Sequence, residues 1–336
     1  MSISIQEKDN LTRWHSKIKN HFESYNVKLI NHETSQSIEW IYSLVQSKKG
    51  IGKGGLRAIL YNASPRMETK TWQQSYALNQ VYVDREIFFL QMGEAALYNT
   101  GLRGHLSNNQ ETLSWDLKFE NSPQTFHYIP FPLMKHLKVF QMKRFIPNTN
   151  LHIRGEIDLH NQSWSVKDGW GQQNHLWGNV FPQQWLTFIC PRFSEASNVL
   201  VMGWRTAVLL RGKPLMALYI QIGSETYRFP TLWGSVHCPQ GVNPLYFTFE
   251  ATQSKKKFVG QITSEPSALV SYEETDPSGA RLIHIRTMMA SFRFLIYEKK
   301  QGRWDLIRSL NAPLGCSYSL GAKENHPLYR QLCGSL

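Results

Sequence analysis

The sequence predicts an all-β protein with two antiparallel β-barrel or sandwich domains and a short N-terminal helix. Its 336 residues are more than one core of ordinary size needs, which favours two domains. Aromatic residues make up 12% of the chain, a supply that suits sheets. Gly, Pro, Asn and Asp interrupt short β-rich runs at spacings of roughly ten residues, as in antiparallel sheets. No long helical pattern separates these runs, so a parallel α/β sheet is not expected.

Residues 1–30 are predicted to form the N-terminal helical segment. Asp9 and Asn10 are residue types that cap the start of a helix. Apolar residues follow at steps of three and four, which places them on one helical stripe: Leu11, Trp14, Ile18, Phe22 and Tyr25. We expect this stripe to pack on the body of the protein.

Residues 31–192 and 193–336 are predicted to form the two β-domains. The run LHIRGEIDL, residues 151–159, alternates apolar and polar side chains, as a strand with one buried face does. AVLLRGKPLMALYIQI predicts two strands around residues 211–214. ASFRFLIYEKKQGRWDLIRSL predicts two strands around residues 300–302.

The formal net charge of +12 favours anionic partners. The basic runs Lys255–Lys257 and Lys299–Lys300 do not alternate with aromatic residues along a helix or a sheet face, as a nucleic-acid platform would. We therefore expect solvated strand ends and no specific nucleic-acid partner. Peripheral contact with an anionic membrane is the remaining expectation for this charge.

The chain carries no pattern of a secretory signal or of a membrane span. The N-terminus MSISIQEKDN lacks an apolar core, and NVLVMGWRTAVLL is short and interrupted by Arg205. Four widely spaced cysteines form no CxxC pair, so a reduced cytoplasm is the expected location. Phosphate-loop, HExxH and GxSxG motifs are absent, and the histidines do not fall at ligand spacing. We therefore expect neither a metal nor another cofactor.

Residues 168–185, DGWGQQNHLWGNVFPQQW, are unusually rich in aromatic surface. Four of the chain's 11 tryptophans lie in or just before this stretch, with glycines, amides and a histidine between them: Trp164, Trp170, Trp177 and Trp185. We expect them to border a large apolar pocket for a hydrophobic ligand. Ordinary core packing is the alternative explanation for each single tryptophan.

Several segments together resemble a known family. IEWIY, residues 38–42, resembles the Glu-Trp and Gly-Trp-Tyr signature that opens the first barrel of tocopherol cyclases, carotenoid 1,2-hydratases and related lipocalin-like proteins. GLRAILYNASP, residues 55–65, stands where the family has a strand and a proline turn. A later Trp-Gly pair that continues into Phe181-Pro182-Gln183-Gln184-Trp185 resembles the Phe-Pro-x-x-Trp element of tocopherol cyclases. The resemblance covers about residues 36–195.

The resemblance implies two lipocalin-like barrels and chemistry without a redox cofactor. It implies cyclisation, hydration or isomerisation of an isoprenoid or polyketide-derived substrate, and natural-product cyclases with related folds include some that close rings by pericyclic addition. One position departs from the family. Tocopherol cyclases carry Glu and the hydratase-like relatives Asp where this chain has Asn174, whereas His175 and Trp177 match the hydratase-like version. An amide cannot donate a proton to an alkene.

If the protein protonates an alkene, Glu39, Asp168 and His175 are the candidate proton donors. Glu39 lies beside Trp40 in an apolar run, a setting that keeps a carboxylic acid neutral by burial. Aromatic faces would then shield the cation and bind substrate, and the candidates are Trp40, Tyr42, Trp170, Trp177 and Trp185.

If the reaction is pericyclic, shape holds the reacting ends together, and Asn174 and His175 donate hydrogen bonds to a substrate carbonyl. The structural alternatives are a Glu39 carboxylate satisfied by Arg57 or Arg154, and a His175 bonded to backbone carbonyls. The functional alternative is a lipid or pigment carrier of the same fold that catalyses nothing.

Overall fold

A computed structural model of the chain describes residues 3–31, 36–62, 69–108, 111–122, 125–128, 142–160, 162–207, 214–229, 234–239 and 241–334. The all-β class is confirmed. The chain divides into two compact units. Unit 1 contains Met1–Phe181 and Thr275–Gly279, and unit 2 contains Pro182–Glu274 and Ala280–Leu336.

Unit 1 is a nearly closed antiparallel barrel. Its strands are β1 (His21–Asn31), β2 (Gln36–Gln46), β3 (Gly52–Asn62), β4 (Lys70–Ala77), β5 (Val81–Asp84), β6 (Phe89–Met92), β7 (Ala95–Tyr98), β8 (Gly101–Ser107), β9 (Thr112–Glu120), β10 (Phe126–His127), β11 (Met142–Leu159) and β12 (Gln162–Gly178). They are ordered β4-β3-β2-β1-β12-β11-β9-β8-β7-β6-β5, with β10 paired to β11. The central strand β1 therefore lies between β2 and β12.

Unit 2 is a second nearly closed antiparallel barrel. Its strands are β13 (Gln184–Cys190), β14 (Val199–Ala207), β15 (Pro214–Ile222), β16 (Glu225–Phe229), β17 (Gly234–His237), β18 (Tyr246–Gln253), β19 (Lys256–Thr263), β20 (Val270–Thr275), β21 (Arg281–Lys300) and β22 (Arg303–Lys323). The order is β16-β15-β14-β13-β22-β21-β19-β18-β17, with β20 paired to β21. Helix α2 (Pro327–Gly334) follows the last strand.

The N-terminal helix is present but shorter than the predicted stripe. Helix α1 spans Ile5–Asn10, and Ser4 caps its start by accepting the backbone N–H of Glu7 at 3.1 Å. The stripe prediction is wrong: α1 ends at Asn10, so Asp9 and Asn10 close the helix instead of starting it. Residues 11–20 are not helical, and the stripe members Phe22 and Tyr25 lie on opposite faces of β1. Three-residue spacing fits a helix, but pairing on both sides, with β2 and β12, holds this segment extended.

The predicted alternation of residues 151–159 is confirmed in β11. Leu151, Ile153, Ile157 and Leu159 are buried in the core of unit 1, and the residues between them are exposed or half-buried. Gly155 adopts a φ of 140°, and a Cβ atom there would collide with the carbonyl oxygen of Asp116 on the paired strand β9. Only glycine fits this close approach of two backbones.

The long hairpin predicted around residues 300–302 is also confirmed. Strands β21 and β22 pair from one end of unit 2 to the other, and Gln301 and Gly302 both adopt positive φ at the turn. The other predicted hairpin is formed by β14 and β15, but its turn at residues 208–213 lies outside the described part of the chain. Among the described residues, neither helix has the length and apolar content needed to cross a bilayer.

We predict that Gly155→Ala lowers the free energy of unfolding by about 2–3 kcal/mol, because the new Cβ meets backbone and the φ is unfavourable. Gly241→Ala is the matched control, since a Cβ there meets nothing within 4 Å. Chemical denaturation followed by tryptophan fluorescence measures both. Equal stability of the two variants would contradict the close approach at Gly155.

Candidate functional site

The interior of unit 1 contains a buried carboxylate, Glu23, on β1. Its side chain accepts the backbone N–H of Arg13 at 2.8 Å and that of Trp14 at 2.7 Å. The Tyr25 hydroxyl donates to Oε1 at 2.8 Å, and His175 Nε2 lies 2.7 Å from the same oxygen. His21 Nε2 lies 3.2 Å from Oε2. We call these groups the Glu23 cluster.

The pKa of Glu23 reflects two opposing effects. Burial by itself raises the pKa of a carboxyl group, and this is the largest single effect. Hydrogen bonds from His175 and His21, the charge of His175 and the backbone N–H of Arg13 together outweigh burial. They hold the pKa of Glu23 well below its usual range. Glu23 is therefore ionised at neutral pH and acts as an acceptor, not as an acid.

His175 links the Glu23 cluster to the N-terminal segment. Its Nδ1 lies 2.6 Å from the backbone carbonyl oxygen of Asp9, so this nitrogen carries a proton and donates it. The ring stacks between Tyr25, at 4.3 Å between centroids, and Trp177, at 4.5 Å. Because both ring nitrogens are engaged, this geometry matches the structural alternative named for His175. Its predicted role toward substrate stays a prediction.

The N-terminal segment is bound to the barrel by further buried contacts. Asp9 Oδ2 pairs with His127 Nε2 at 2.5 Å, and Trp14 Nε1 donates to Gln46 at 2.8 Å. Asn10 donates its amide hydrogen to Gln173 Oε1 at 2.8 Å. Residues 9–14 thus form part of the barrel's interior network.

The opposite face of the same strands carries a second set of polar side chains. On β1 and β2, Lys28 pairs in register with Glu39, with Nζ 3.8 Å from Oε1. Asn26 donates its side-chain N–H to Glu39 Oε1 at 3.1 Å. Glu39 and Lys28 are both buried. An ammonium group and an amide N–H are partners that suit a carboxylate.

Strands β11 and β12 extend this polar face. Asn174 accepts a hydrogen bond from Arg144 Nη2 at 3.0 Å and donates one to Gln172 Oε1 at 2.9 Å. Register places Asn174 opposite Asn26, and Gln172 opposite Lys28. We use the name "polar face" for the group formed by Asn26, Lys28, Glu39, Arg144, Gln172 and Asn174.

The polar face combines a cation, amide donors and a carboxylate on one side of a sheet. Lys28, Glu39, Gln172 and Asn174 are buried, and Arg144 lies over the ring of Tyr128 at 5.4 Å. N–H donors held in buried positions are able to polarise a substrate carbonyl, because they need little reorganisation. This is the chemistry that the arrangement offers to a bound molecule.

The sequence-predicted candidates divide between the two faces. Glu39, Asn174 and the half-buried Trp170 belong to the polar-face side of the sheet, whereas His175, Trp40 and Tyr42 point into the barrel. Glu39 and His175 therefore lie on opposite faces of one sheet. Glu39 is paired with Lys28.

The remaining candidates are Asp168, Trp185 and Trp177. Asp168 is 77% exposed and pairs with His152 at 3.3 Å, so it lacks the burial that a neutral carboxylic acid requires. Trp185 belongs to unit 2, where its ring packs against His284 at 5.1 Å. Trp177 is half-buried beside His175, and the guanidinium of Arg13 lies over its ring.

The interior side also holds N–H donors that bind no described residue. Gln173 and Trp40 flank Val27 in register, and both are buried. Gln173 Oε1 accepts from Asn148, whose own carbonyl oxygen accepts the backbone N–H of Ser122. This fixes the orientation of both amides, and it leaves Gln173 Nε2 and Trp40 Nε1 without a partner in the described part of the chain.

Sequence reasoning missed Glu23, Lys28, Arg144 and Gln172. For Lys28 a signal existed, because residues 24–29 alternate polar and apolar side chains as a strand does. Glu23 gave none, because it occupies an inward position of that strand where the pattern predicts an apolar residue. Arg144 carries no local signal, because only strand register brings it beside Asn174. Gln172 lies two residues before Asn174 on the same face of β12.

We predict that Glu23→Gln lowers the free energy of unfolding at neutral pH by about 2–4 kcal/mol, because buried donors lose their charged acceptor. A carboxyl group whose pKa is lower in the folded than in the unfolded state stabilises the fold at pH values above its unfolded-state pKa of about 4.3. This stabilisation is lost as the pH falls toward the folded-state pKa. The wild type should therefore lose stability below about pH 4 more steeply than Glu23→Gln.

Urea denaturation at a series of pH values tests this expectation. Glu94→Gln is the control. The Glu94 side chain is 83% exposed, so this substitution should alter the free energy of unfolding neither at neutral nor at acid pH. If the free energies of unfolding of wild type and Glu23→Gln fell with the same slope below about pH 4, the ionised state of Glu23 would be refuted.

Comparison with known proteins identifies the fold. No protein-family model and no curated protein matches the sequence. The crystal structure of CghA with Sch210972 matches with a TM-score of 0.56 at 9% identity, over 96% of this chain and 93% of that one. A candidate AttH from Nitrosomonas europaea matches with a TM-score of 0.56 at 11% identity, over 96% and 97%.

Kievitone hydratase from Nectria haematococca is a third similar structure, with a TM-score of 0.55 at 11% identity, over 90% of this chain and 89% of that one. At such low sequence identity, the structural similarity shows the fold alone. The chain has the fold of these proteins, with two lipocalin-like barrels.

Proposed function

We propose that this protein is a cofactor-independent cyclase or isomerase that acts on a hydrophobic isoprenoid or polyketide-derived substrate. The observation that carries the proposal is the polar face, where Lys28 lies beside Glu39 and Arg144 donates to the buried Asn174. The fold supports it, because CghA was crystallised with Sch210972 and another protein of this fold is a hydratase.

The donor geometry favours ring closure by positioning over alkene protonation. Protonation of an isolated alkene needs a neutral carboxylic acid. Glu23 is ionised and fully hydrogen-bonded, Asp168 is exposed, and Glu39 lies beside an ammonium group. None of the three has the surroundings of a neutral acid. Alkene protonation by Glu39 is retained as the second mechanism to be tested.

In the favoured mechanism, the protein binds the substrate folded, with its reacting carbon atoms close together. Holding reactants in this way lowers the barrier by up to about 7–11 kcal/mol. N–H donors of the polar face polarise a carbonyl conjugated with one reacting double bond. Two π bonds become two σ bonds, so no atom or electron is gained or lost, and the product is an isomer of the substrate.

A carrier without chemistry is the second candidate function. It is favoured by Trp40 and Gln173, whose buried N–H groups have no partner among the described residues and point into unit 1. Such donors suit a ligand with a carbonyl or hydroxyl oxygen. The two candidates differ in the surface that they use, since the carrier site lies inside the barrel and the catalytic site on the polar face.

The first experiment is native mass spectrometry with organic extraction of protein purified from its own host. We expect a prenylated, polyene or polyketide-like compound to co-purify and to convert on incubation into an isomer of equal mass. A gain of one water would identify a hydratase instead. A ligand that never changes would refute catalysis and support the carrier.

With that compound in hand, we predict that Lys28→Met lowers kcat/KM by about 10²–10³-fold, because a donor present at the transition state is lost. Substrate affinity should change much less. Lys118→Met, which alters an exposed lysine on β9 of the same sheet, is the matched control. An unchanged kcat/KM in Lys28→Met would remove the polar face from the mechanism.

Glu39→Gln separates the two mechanisms. The change keeps the side-chain volume and removes the acid, so the hydrogen-bond mechanism predicts that turnover survives with unaltered binding. Turnover that is abolished while binding persists would instead assign proton donation to Glu39.

A further inference from the structure

One end of unit 2 gathers basic residues that are distant in sequence. The turn between β18 and β19 carries Lys255–Lys257, and the tip of the β21–β22 hairpin carries Lys299, Lys300 and Arg303. The backbone N–H of Lys299 donates to the carbonyl oxygen of Lys255 at 2.8 Å, which holds the two turns side by side. We call residues 255–257 and 297–307 the cationic end.

Basic residues outnumber acidic ones at the cationic end. The acidic residues are Glu298, which pairs with Lys256 at 2.8 Å and Lys300 at 3.6 Å, and Asp305, which pairs in register with Glu298. Lys255, Lys257, Lys299 and Arg303 have no carboxylate partner among these residues. The surface therefore carries a net positive charge that is not neutralised locally.

Aromatic rings are interleaved with these cations on one sheet face. Lys257 Nζ lies 4.7 Å from the ring centre of Tyr297 and 5.5 Å from that of Trp304. Lys299 Nζ lies 5.8 Å from Trp304 on the same face. No such interleaving is visible along a single segment of the sequence, because the residues come from the three strands β19, β21 and β22.

Two aliphatic side chains beside the rings face solvent. Leu306 is 53% exposed and Ile307 is 39% exposed. Register explains this exposure: Tyr297 pairs with Leu306 and Ile296 with Arg308, so Ile307 is an extra residue in β22. A bulge of this kind turns neighbouring side chains out of the regular alternation.

We propose that the cationic end docks on the surface of anionic phospholipid membranes. Lysines attract anionic headgroups, and Trp and Tyr are the aromatic residues enriched at membrane–water interfaces. Leu306 and Ile307 gain by leaving water for the acyl-chain boundary. Such docking is independent of the reaction proposed above and would also bring the protein to the phase in which hydrophobic substrates dissolve.

Nucleic acid fits this surface less well. Stacking of bases requires free aromatic faces, whereas Lys257 and Lys299 already lie against Trp304. Exposed Leu306 and Ile307 also gain little from a phosphate backbone. The combination of partly covered rings with exposed aliphatic residues therefore favours lipid.

The test is co-sedimentation of the full chain with sucrose-loaded vesicles. Vesicles of phosphatidylcholine alone are compared with vesicles containing ~30% phosphatidylserine, at ~100 and ~500 mM NaCl. We expect binding only to the anionic vesicles, weakened by salt. Lys255→Gln/Lys299→Gln should lower the partition coefficient roughly thirty-fold, and Leu306→Ser/Ile307→Ser should also lower it at either salt concentration.

Lys118→Gln/Lys167→Gln removes two exposed lysines from unit 1 and is the matched control, expected to bind as wild type does. An equal loss in this control would mean that overall charge drives binding, which overturns the proposal. Equal binding to neutral vesicles would overturn it as well. A third outcome would also overturn the proposal: a single-stranded oligonucleotide that binds through the same residues and displaces the protein from anionic vesicles. Nucleic acid would then be the partner.

Discussion

The architecture of unit 1 depends on a buried hydrogen bond between the Glu23 carboxylate and His175. Burying a carboxylate is unfavourable unless hydrogen-bond donors surround it, and here they come from β1, β12 and the N-terminal segment. Residues 9–14 therefore have a physical reason to fold against the barrel: Glu23 needs their backbone N–H groups. The same contact joins β1 to β12, so it stabilises the strand from which Lys28 projects toward the other face.

Strand alternation places neighbouring residues of β12 on opposite faces of the sheet. His175 and Asn174 are neighbours in one motif, yet one points into the barrel and the other onto the polar face. The interior histidine uses both nitrogens to hold the fold, whereas Asn174 joins cationic and amide side chains. Neighbouring residues of this segment thus have different surroundings, because successive residues of a strand point to opposite faces of the sheet.

Local pattern predicted the all-β class, the buried face of β11 and the β21–β22 hairpin, because each is set by alternation or turn residues within a short segment. The start of β1 was assigned to a helix because Phe22 and Tyr25 continue the three- and four-residue spacing of the preceding segment, and only the partner strands β2 and β12 decide against it. Glu39 was predicted but its partner was not, since Lys28 lies in residues 1–30, which were assigned to the helical segment. The cationic end was missed for a related reason: its ring contacts join strands about forty residues apart, a separation that sequence periodicity does not report.

Asn174 stands where the tocopherol cyclases and hydratase-like proteins that the sequence resembles carry an acid, and this difference fits its surroundings. An amide keeps its N–H donors at every physiological pH, whereas a carboxyl group beside Arg144 would be driven toward its acceptor form. Retaining an acid at position 174 would thus give a salt bridge and no proton donor. With Asn174, the cations remain available to polarise a carbonyl while the amide fixes their geometry. The substitution and its cationic neighbours therefore support the same mechanism, in which a hydrophobic substrate is oriented and its carbonyl polarised without transfer of a proton.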